Sequence, residues 1–361
     1  MDAHFDFAIV GAGMAGASLA AALAPHARVL SIEAEDHPGY HATGRSAAFW
    51  TESYGGPLVY PLTAASGPFL KTHGLLRERG ALTLAREVEA AGLDTFAGDF
   101  AALGVRIERL DYPALQARIP GLRPEWCHGV LEPDCCDIDV AGLHQLYLTQ
   151  ARRSGAQLQC RARLVQASRQ GANWHLALAD GRTFSAAVLV NAAGAWADPV
   201  AEAAGVAPLG IQPYRRTIAQ LEMAKPAPHD LPLTLGFDGS FYFRPEGDKL
   251  WLSPHDETPS VPCDAAPEEL DVALAIARLE DVADWPVRRL EYKWAGLRSF
   301  APDRLPVYGW DCQVPGFFWF AGQGGFGIQT APAAADLALA LLLGKDAGAV
   351  DPGPYAPARF R

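Results

Sequence analysis

The opening of the chain constrains its fold more than any other stretch. Residues 5–10, F-D-F-A-I-V, read as a short buried strand. Gly11-Ala12-Gly13-Met14-Ala15-Gly16 follows, and residues 17–24 then read as a small-residue helix. A strand that turns through G-x-G-x-x-G into a helix has a physical logic. The first glycine permits the turn, the second lets backbone approach a pyrophosphate, and the third lets helix and strand pack closely. A second strand, 28–32, ends at Glu33, about 20 residues past the first glycine, where a carboxylate can bind a ribose diol. The helix N-terminus offers partial positive charge to a diphosphate. This α/β opening reads as a dinucleotide-binding unit, and the fingerprint alone does not separate NAD from FAD.

The rest of the chain alternates in character. A loop rich in Gly and small polar residues runs from 38 to 48 and reads as a lining segment. From 75 to 139 the periodicity is mixed, with prolines at 113, 120, 124 and 133, as an inserted region would show. A helix is expected at 141–154 with Asp139 as its N-cap. Strands follow at 157–164, 164–169 and 174–179, with Asp180-Gly181 as a hairpin turn. The continuous apolar run 186–190 reads as a buried parallel strand leading into Asn191-Ala192-Ala193-Gly194. Between 214 and 298, strands at 217–221, 233–237, 240–244, 249–253 and 287–294 are interrupted by one helix, 267–281, with Pro267 in its first turn. The last segment returns to α/β character, with a strand at 317–321, the glycine-rich 322–327 and a helix at 328–343.

At 361 residues, against roughly 100–200 per domain, the chain has length for two domains. The motifs place them in pieces: a Rossmann-like binding domain from 1–76, 140–211 and 297–361, and an α+β substrate domain with a mostly antiparallel sheet from 77–139 and 212–296. Lys and Arg number 30 against 41 Asp and Glu, a net charge of -11. That argues against a footprint for nucleic acid or an anionic membrane surface, and for a small-molecule partner. No stretch reaches the ~20 apolar residues of a membrane span, and Met1-Asp2-Ala3-His4 lacks the basic and apolar regions of a leader. Six cysteines, at 127, 135, 136, 160, 263 and 312, form no C-x-x-C. A reducing cytoplasm fits them better than a disulfide framework. Cys127, His128, Cys135, Cys136, Asp137 and Asp139 match no common zinc spacing, so no metal is expected.

Five segments carry a family resemblance: G-A-G-M-A-G at 11–16, H-A-T-G-R-S-A-A at 41–48, N-A-A-G-A-W-A at 191–197, W-A-G-L-R-S-F-A-P-D at 294–303 and A-G-Q-G-G-F-G-I-Q-T at 321–330. Over nearly the whole chain the sequence resembles the D-amino-acid oxidase and dehydrogenase (DAO) superfamily, which includes glycine and sarcosine oxidases. Within it the sequence is most similar to the D-arginine dehydrogenase type of bacterial flavoenzyme. The resemblance implies bound FAD. It places Gly11, Gly13, Met14, Ala15, Gly16 and Glu33 at the dinucleotide, and Gly44, Arg45, Ser46, Ala47 and Ala48 along the flavin and diphosphate. Val165, Ala193 and Gly194 fall near the adenosine half, and Gly325, Phe326, Gly327, Ile328 and Gln329 at the isoalloxazine. Backbone N–H groups opening the last helix would stabilise negative charge on the reduced ring. Sarcosine-oxidase-like relatives hold flavin through a cysteine where this chain has Gly296, so the FAD is expected to be non-covalent.

Arg298 and Arg215 match the arginines that bind a substrate carboxylate in the look-alikes, a task suited to the rigid, always charged guanidinium. Without the resemblance, the favoured reading of each is a surface arginine paired with an acid. Arg216, next in the strand, is expected on the opposite face. Tyr54 and Tyr242 match substrate-contacting tyrosines, although Phe241-Tyr242-Phe243 also reads as core. Phe49 stands where the look-alikes carry a pocket histidine, and Ala81 where they carry a guanidinium-binding glutamate. The pair predicts weak preference for D-Arg and D-Lys, and apolar or broad side-chain acceptance. With Gln329 these residues form the expected catalytic set. The expected reaction is oxidation of a D-amino acid by hydride transfer from the α-carbon to flavin N5, with hydrolysis to a 2-oxo acid and ammonia and with a quinone or O2 as electron acceptor. An N-methyl amino acid or 2-hydroxy acid substrate remains open, as does a flavin-binding protein without turnover.

Overall fold

The computed structural model of the chain describes residues 4–361; Met1 to Ala3 of the stretch read for a leader lie outside the described residues. Two large sheets organise the fold. The first grows from the opening motif. His4–Val10 pairs in parallel with both Val29–Ile32 and Thr183–Asn191, Gln157–Gln159 extends one edge, and Phe317–Ala321 pairs in parallel with Thr183–Asn191 on the other side. The hairpin Leu164–Gln170 and Asn173–Leu178 and the strand Val307–Trp310 complete it in antiparallel fashion. Helices Met14–Leu23, Val140–Arg153 and Ala331–Leu342 pack on one face. They meet through alanines, among them Ala17, Ala20, Ala334 and Ala338, and side chains this small let helix backbones approach one another.

Among the described residues the second sheet has nine strands, and its only parallel pair is Ala81–Ala85 with Leu233–Gly236. Two long strands, Gln212–Met223 and Val287–Phe300, pair antiparallel from Gln212 opposite Phe300 to Met223 opposite Val287. Val287–Phe300 is one continuous strand where the sequence suggests a shorter one. It crosses the expected boundary at 296/297 and carries the second sheet's residues to the cavity wall. The segment 75–139 contributes Ala81–Ala85, Glu108–Leu110 and His128–Glu132 to this sheet. A three-stranded sheet of Phe49–Trp50, Leu76–Glu78 and Cys136–Ile138 lies apart from it.

Three helix boundaries differ from the sequence reading. The first helix starts at Met14, inside the glycine motif, and Ala17 N–H already bonds to Gly13 carbonyl at 2.9 Å. Pro267 falls before the helix Glu269–Val282, whose N-cap is Glu268. The last helix starts at Ala331, since 326–330 close as turns through Thr330 N–H to Phe326 carbonyl and Ala331 N–H to Ile328 carbonyl. Pro332 then sits in the first turn, where a missing N–H costs nothing. Asp139 caps its helix as expected, accepting Gly142 N–H at 2.8 Å.

Candidate active site

Two adjoining cavities lie where the two sheets meet. The larger, about 440 Å³, falls within the ~300–1,000 Å³ of small-molecule and cofactor sites. Gly11, Gly13, Met14, Ala15 and Glu33 line one end of it. Gly11 holds a left-handed φ of +100°, and a Cβ there would sit 2.5 Å from Ala192 carbonyl. A Cβ on Gly16 would lie 1.8 Å from Gly11 carbonyl, so the third glycine packs helix to turn and does not line the cavity. Among the described residues the N–H groups of Gly13 and Ala15 have no protein acceptor, which leaves them open to an anion. Glu33 accepts Ala12 N–H at 2.9 Å and Glu35 N–H at 3.0 Å. His144, its pKa lowered by burial, lies 2.9 Å through Nε2 from Ala12 carbonyl behind the turn.

Arg45, Ser46, Ala193, Gly194, Gly325, Gly327 and Ile328 line the rest of the larger cavity. Arg45 reaches across to the second sheet's segments, donating to Ala265 and Ala295 carbonyls at 2.9 and 3.2 Å and pairing with Asp264. Ala47, Ala48 and Gln329 line the smaller cavity instead. Besides Gly16, three expected cofactor contacts line neither cavity. Val165 is 48% exposed, while its neighbours Arg163 and Leu164 line the larger cavity. Gly44 closes a turn through its N–H to Gly39 carbonyl at 2.8 Å. Phe326 is buried between the rings of Tyr54 and Phe300. Because the last helix starts only at Ala331, the groups available to a flavin edge there are turn N–H groups rather than a helix terminus. Those of Gly327 and Ile328 have no protein acceptor among the described residues.

The smaller cavity shares Ser46, Arg298, Gly325 and Ile328 with the larger one, and Phe49, Tyr54, Arg216, Tyr242 and His255 complete its wall with Leu235. Arg298 is buried, and no carboxylate pairs with it among the described residues. Its one hydrogen bond goes to Leu297 carbonyl at 3.3 Å. Burial pulls its pKa down, although a guanidinium stays charged.

The second arginine on the cavity wall is Arg216, not Arg215. Successive side chains of a strand point to opposite faces, and Arg215 faces the helix Glu269–Val282, where it pairs with Glu268 and with Asp271 at 2.8 Å. Arg216 faces the cavity, 4% exposed, held by Asp256 carbonyl at 3.0 Å and Glu257 at 3.2 Å. The R-R dipeptide gives both assignments equal standing. Only the packing of a helix more than 50 residues away decides which face is the pocket.

The Phe49 ring lies 5.8 Å from that of Tyr54 and 6.4 Å from that of Tyr242. Ala81 is buried beside Cys135, Leu233 and Tyr242. The Gln329 amide is committed to structure: it accepts Thr51 N–H at 3.3 Å and donates to Tyr54 carbonyl at 3.2 Å and Thr63 Oγ at 2.9 Å, pinning the loop that carries Tyr54. Buried Glu132 holds the same loop, accepting from Thr51 Oγ, Glu52 N–H and Ser53 Oγ at 2.6–2.7 Å. Glu52, half-buried and near Glu132 and Asp134, has its pKa raised to about 6. Sequence reasoning missed Arg216, Glu132 and His255, which are placed by contacts distant in the chain. All six cysteines are free thiols. Cys127 and His128 lie with Glu87 so that their ligand-type atoms fall within 4.8 Å of one another at the surface.

A family model described as FAD dependent oxidoreductase matches residues 6–341. Hydrogen cyanide synthase subunit HcnC of Pseudomonas aeruginosa is 26% identical over 266 residues, 72% of this chain and 61% of HcnC. Glycine oxidase of the same organism is 34% identical over 175 residues, 46% of this chain and 44% of that enzyme. The chain thus aligns with about half to three-fifths of these curated relatives. The crystal structure of glycine oxidase from Geobacillus kaustophilus superposes with a TM-score of 0.86 at 22% identity, covering 99% of both chains. The residues present fit FAD. The glycine turn with open N–H groups, the Glu33 carboxylate at the second strand's end and the open turn at 327–328 lie along one cavity. With the family model spanning nearly its whole length, this chain belongs to the DAO family of FAD-dependent oxidoreductases.

Proposed function

We propose that the protein oxidises a small α-amino acid, with a preference for the D configuration, to the imino acid that water converts to a 2-oxo acid and ammonia. One observation carries this reading: Arg298 is a buried cation without a carboxylate partner among the described residues, at the junction of the two cavities. A buried unpaired charge is costly, and a substrate carboxylate would supply the missing counter-ion. Arg216 offers a second set of donors across the pocket, and Tyr54 and Tyr242 offer hydroxyls. FAD, when bound, supplies the hydride acceptor. The protein's share is to fix the carboxylate, to turn the α-carbon toward the 325–328 turn, and to exclude water with the rings of Phe49, Tyr54 and Tyr242. Residues 1–76, 140–211 and 297–361 hold the cofactor in this reading, and 77–139 with 212–296 hold the substrate.

The D preference rests on the resemblance of the five segments to D-arginine dehydrogenase-type enzymes. The small volume beyond Arg298, about 30 Å³, and the apolar Phe49 and Leu235 favour small or apolar side chains. The same smallness favours glycine or an N-methyl glycine as a second reading. Anaerobic mixing of the holoenzyme with D- and L-amino acids, N-methyl amino acids and 2-hydroxy acids tests the proposal. Loss of oxidised-flavin absorbance with small D-amino acids supports it, and bleaching by hydroxy acids alone refutes it. Reoxidation by O2 or by a quinone analogue then identifies the electron acceptor.

A further inference from the structure

Sequence comparison removes the pocket histidine by placing Phe49 at its position. The structure returns an imidazole from another element. His255 lies in the loop between Lys249–Ser253 and Thr258–Pro259 and lines the smaller cavity with Arg216, Arg298 and Tyr242. Its ring sits 5.6 Å from that of Tyr242, nearly perpendicular to it.

Several contacts hold the ring in place. Nδ1 lies 2.7 Å from Gly239 carbonyl. A carbonyl only accepts, so Nδ1 carries the proton and Nε2 keeps its lone pair. His255 N–H donates to Ser253 Oγ at 3.0 Å, and Arg278 donates to the carbonyls of Ser240 and Pro254, bracing both turns. The backbone of His255 is left-handed at φ 52°, a conformation costly for a non-glycine residue and retained where surrounding structure enforces it. Among the described residues Nε2 has no protein partner.

The pocket's charge balance gives that lone pair a use. No carboxylate side chain lines the smaller cavity among the described residues, and two guanidinium groups do. An amino acid bound by its carboxylate must still place its ammonium or amine, and a third cation beside it would repel it. Burial, together with Arg216, Arg298 and Arg304, pulls the His255 pKa down to about 3 against the opposing effect of the Gly239 bond. The imidazole is therefore neutral across the working range. The other polar side chains on the wall serve less well: Ser46, Tyr54 and Tyr242 hydroxyls each have a proton to donate, and the Gln329 amide is spent on Thr51, Tyr54 and Thr63.

We propose that His255 Nε2 is the acceptor that binds and orients the substrate's α-nitrogen. The proposal rests on the carboxylate-binding reading of Arg298 and Arg216 and adds a group that recognises the amine.

The test uses the holoenzyme and His255→Asn. Asparagine tolerates the left-handed backbone and its amide N–H can reach Gly239, but it lacks the Nε2 acceptor. Alanine, as the antipode that bleaches the flavin, is compared with propionate, which is the same molecule without the amine. The Kd for alanine comes from the concentration dependence of anaerobic bleaching, and that for propionate from perturbation of the flavin spectrum. Loss of one hydrogen bond to a charged group predicts alanine binding weakened about tenfold to a hundredfold, with propionate within about twofold. Equal weakening of both ligands would make His255 a structural residue and overturn the proposal, as would no change in either. Normal propionate binding also reports a folded pocket in the variant. If the variant loses its flavin, the wild-type Nε2 nitrogen resonance decides: it shifts on adding alanine but not propionate if the proposal holds, and a resonance unmoved by alanine overturns it. A wild type that binds neither ligand overturns the carboxylate reading itself, and the His255 assignment with it.

Discussion

Replacing Arg298 by methionine should weaken catalysis and stabilise the protein at once. The side chain is buried, keeps one long hydrogen bond of 3.3 Å to Leu297 carbonyl, and has no acidic partner among the described residues. Placing a charge in such a site costs several kcal/mol, and exchange of buried ionic groups for packed apolar ones has been worth about 1–4 kcal/mol. Methionine is flexible enough to fill much of the guanidinium's volume. At roughly 1–3 °C per kcal/mol for a chain of this size, the melting temperature should rise by a few degrees in the absence of substrate. In the same variant, truncation of one member of a buried charge pair with substrate predicts a loss of about 2–5 kcal/mol, a fall in kcat/KM of roughly thirtyfold to several thousandfold. The assays are thermal unfolding of the holoenzyme and anaerobic flavin reduction against substrate concentration. A lower melting temperature with unchanged kcat/KM would refute the reasoning, since it would make Arg298 a structural cation whose partner lies elsewhere.

Two further outcomes separate structure from function around this pocket. Arg215→Ala leaves Asp271 and Asp256, both largely buried, short of their cation and should cost about 2–3 kcal/mol of stability. Its kcat/KM, measured well below the melting temperature, should stay within about threefold; a hundredfold loss would restore Arg215 to the substrate site. Glu52 has its pKa raised from 4.5 to about 6 by burial and by Glu132 and Asp134. The folded state therefore holds that proton more tightly than the unfolded chain, and stability contributed by the neutral acid is lost as pH rises from about 4.5 to 6. The side chain is only partly buried, so the effect is discounted to about 1 kcal/mol or less. Glu52→Gln should flatten that slope and slightly stabilise the protein at pH 7, as denaturation midpoints across pH 4–8 would show; a slope unchanged in the variant would assign it to another group.

What the sequence made legible follows from how local each signal is. The strand–glycine turn–helix opening encodes its own geometry within 20 residues, and the apolar run at 317–321 matches its strand at both ends. The segment 75–139 was opaque because its strands are 3–5 residues long and their partners are remote: Ala81 pairs with Leu233 and Glu132, and Glu108 with Leu131. Val165 and Gly44 show the limit of transferring roles by motif position, since a one-residue offset turns a lining residue into an exposed one. The choice between Arg215 and Arg216 is the same problem at its sharpest. Strand alternation guarantees that one of them faces the pocket, and only the acids at 268 and 271, on a distant helix, reveal which.

These placements also connect the pocket's charges to one another. Arg215 is neutralised by acids outside the cavity, Arg216 is partly neutralised by Glu257, and Arg298 is not neutralised by any side chain described. Across these three arginines the deficit of negative charge grows toward the residue shared by both cavities. An anion entering there would gain most at Arg298, so in the proposed reading the carboxylate end of the substrate is held there. A neutral imidazole at His255 would leave that attraction for the carboxylate intact and, as proposed, would give the nitrogen end its own acceptor. A histidine charged at neutral pH in the same place would add a third positive charge and repel the ammonium. Burial and the surrounding arginines, by holding the ring neutral, are therefore part of how such a pocket would tell the two ends of an amino acid apart.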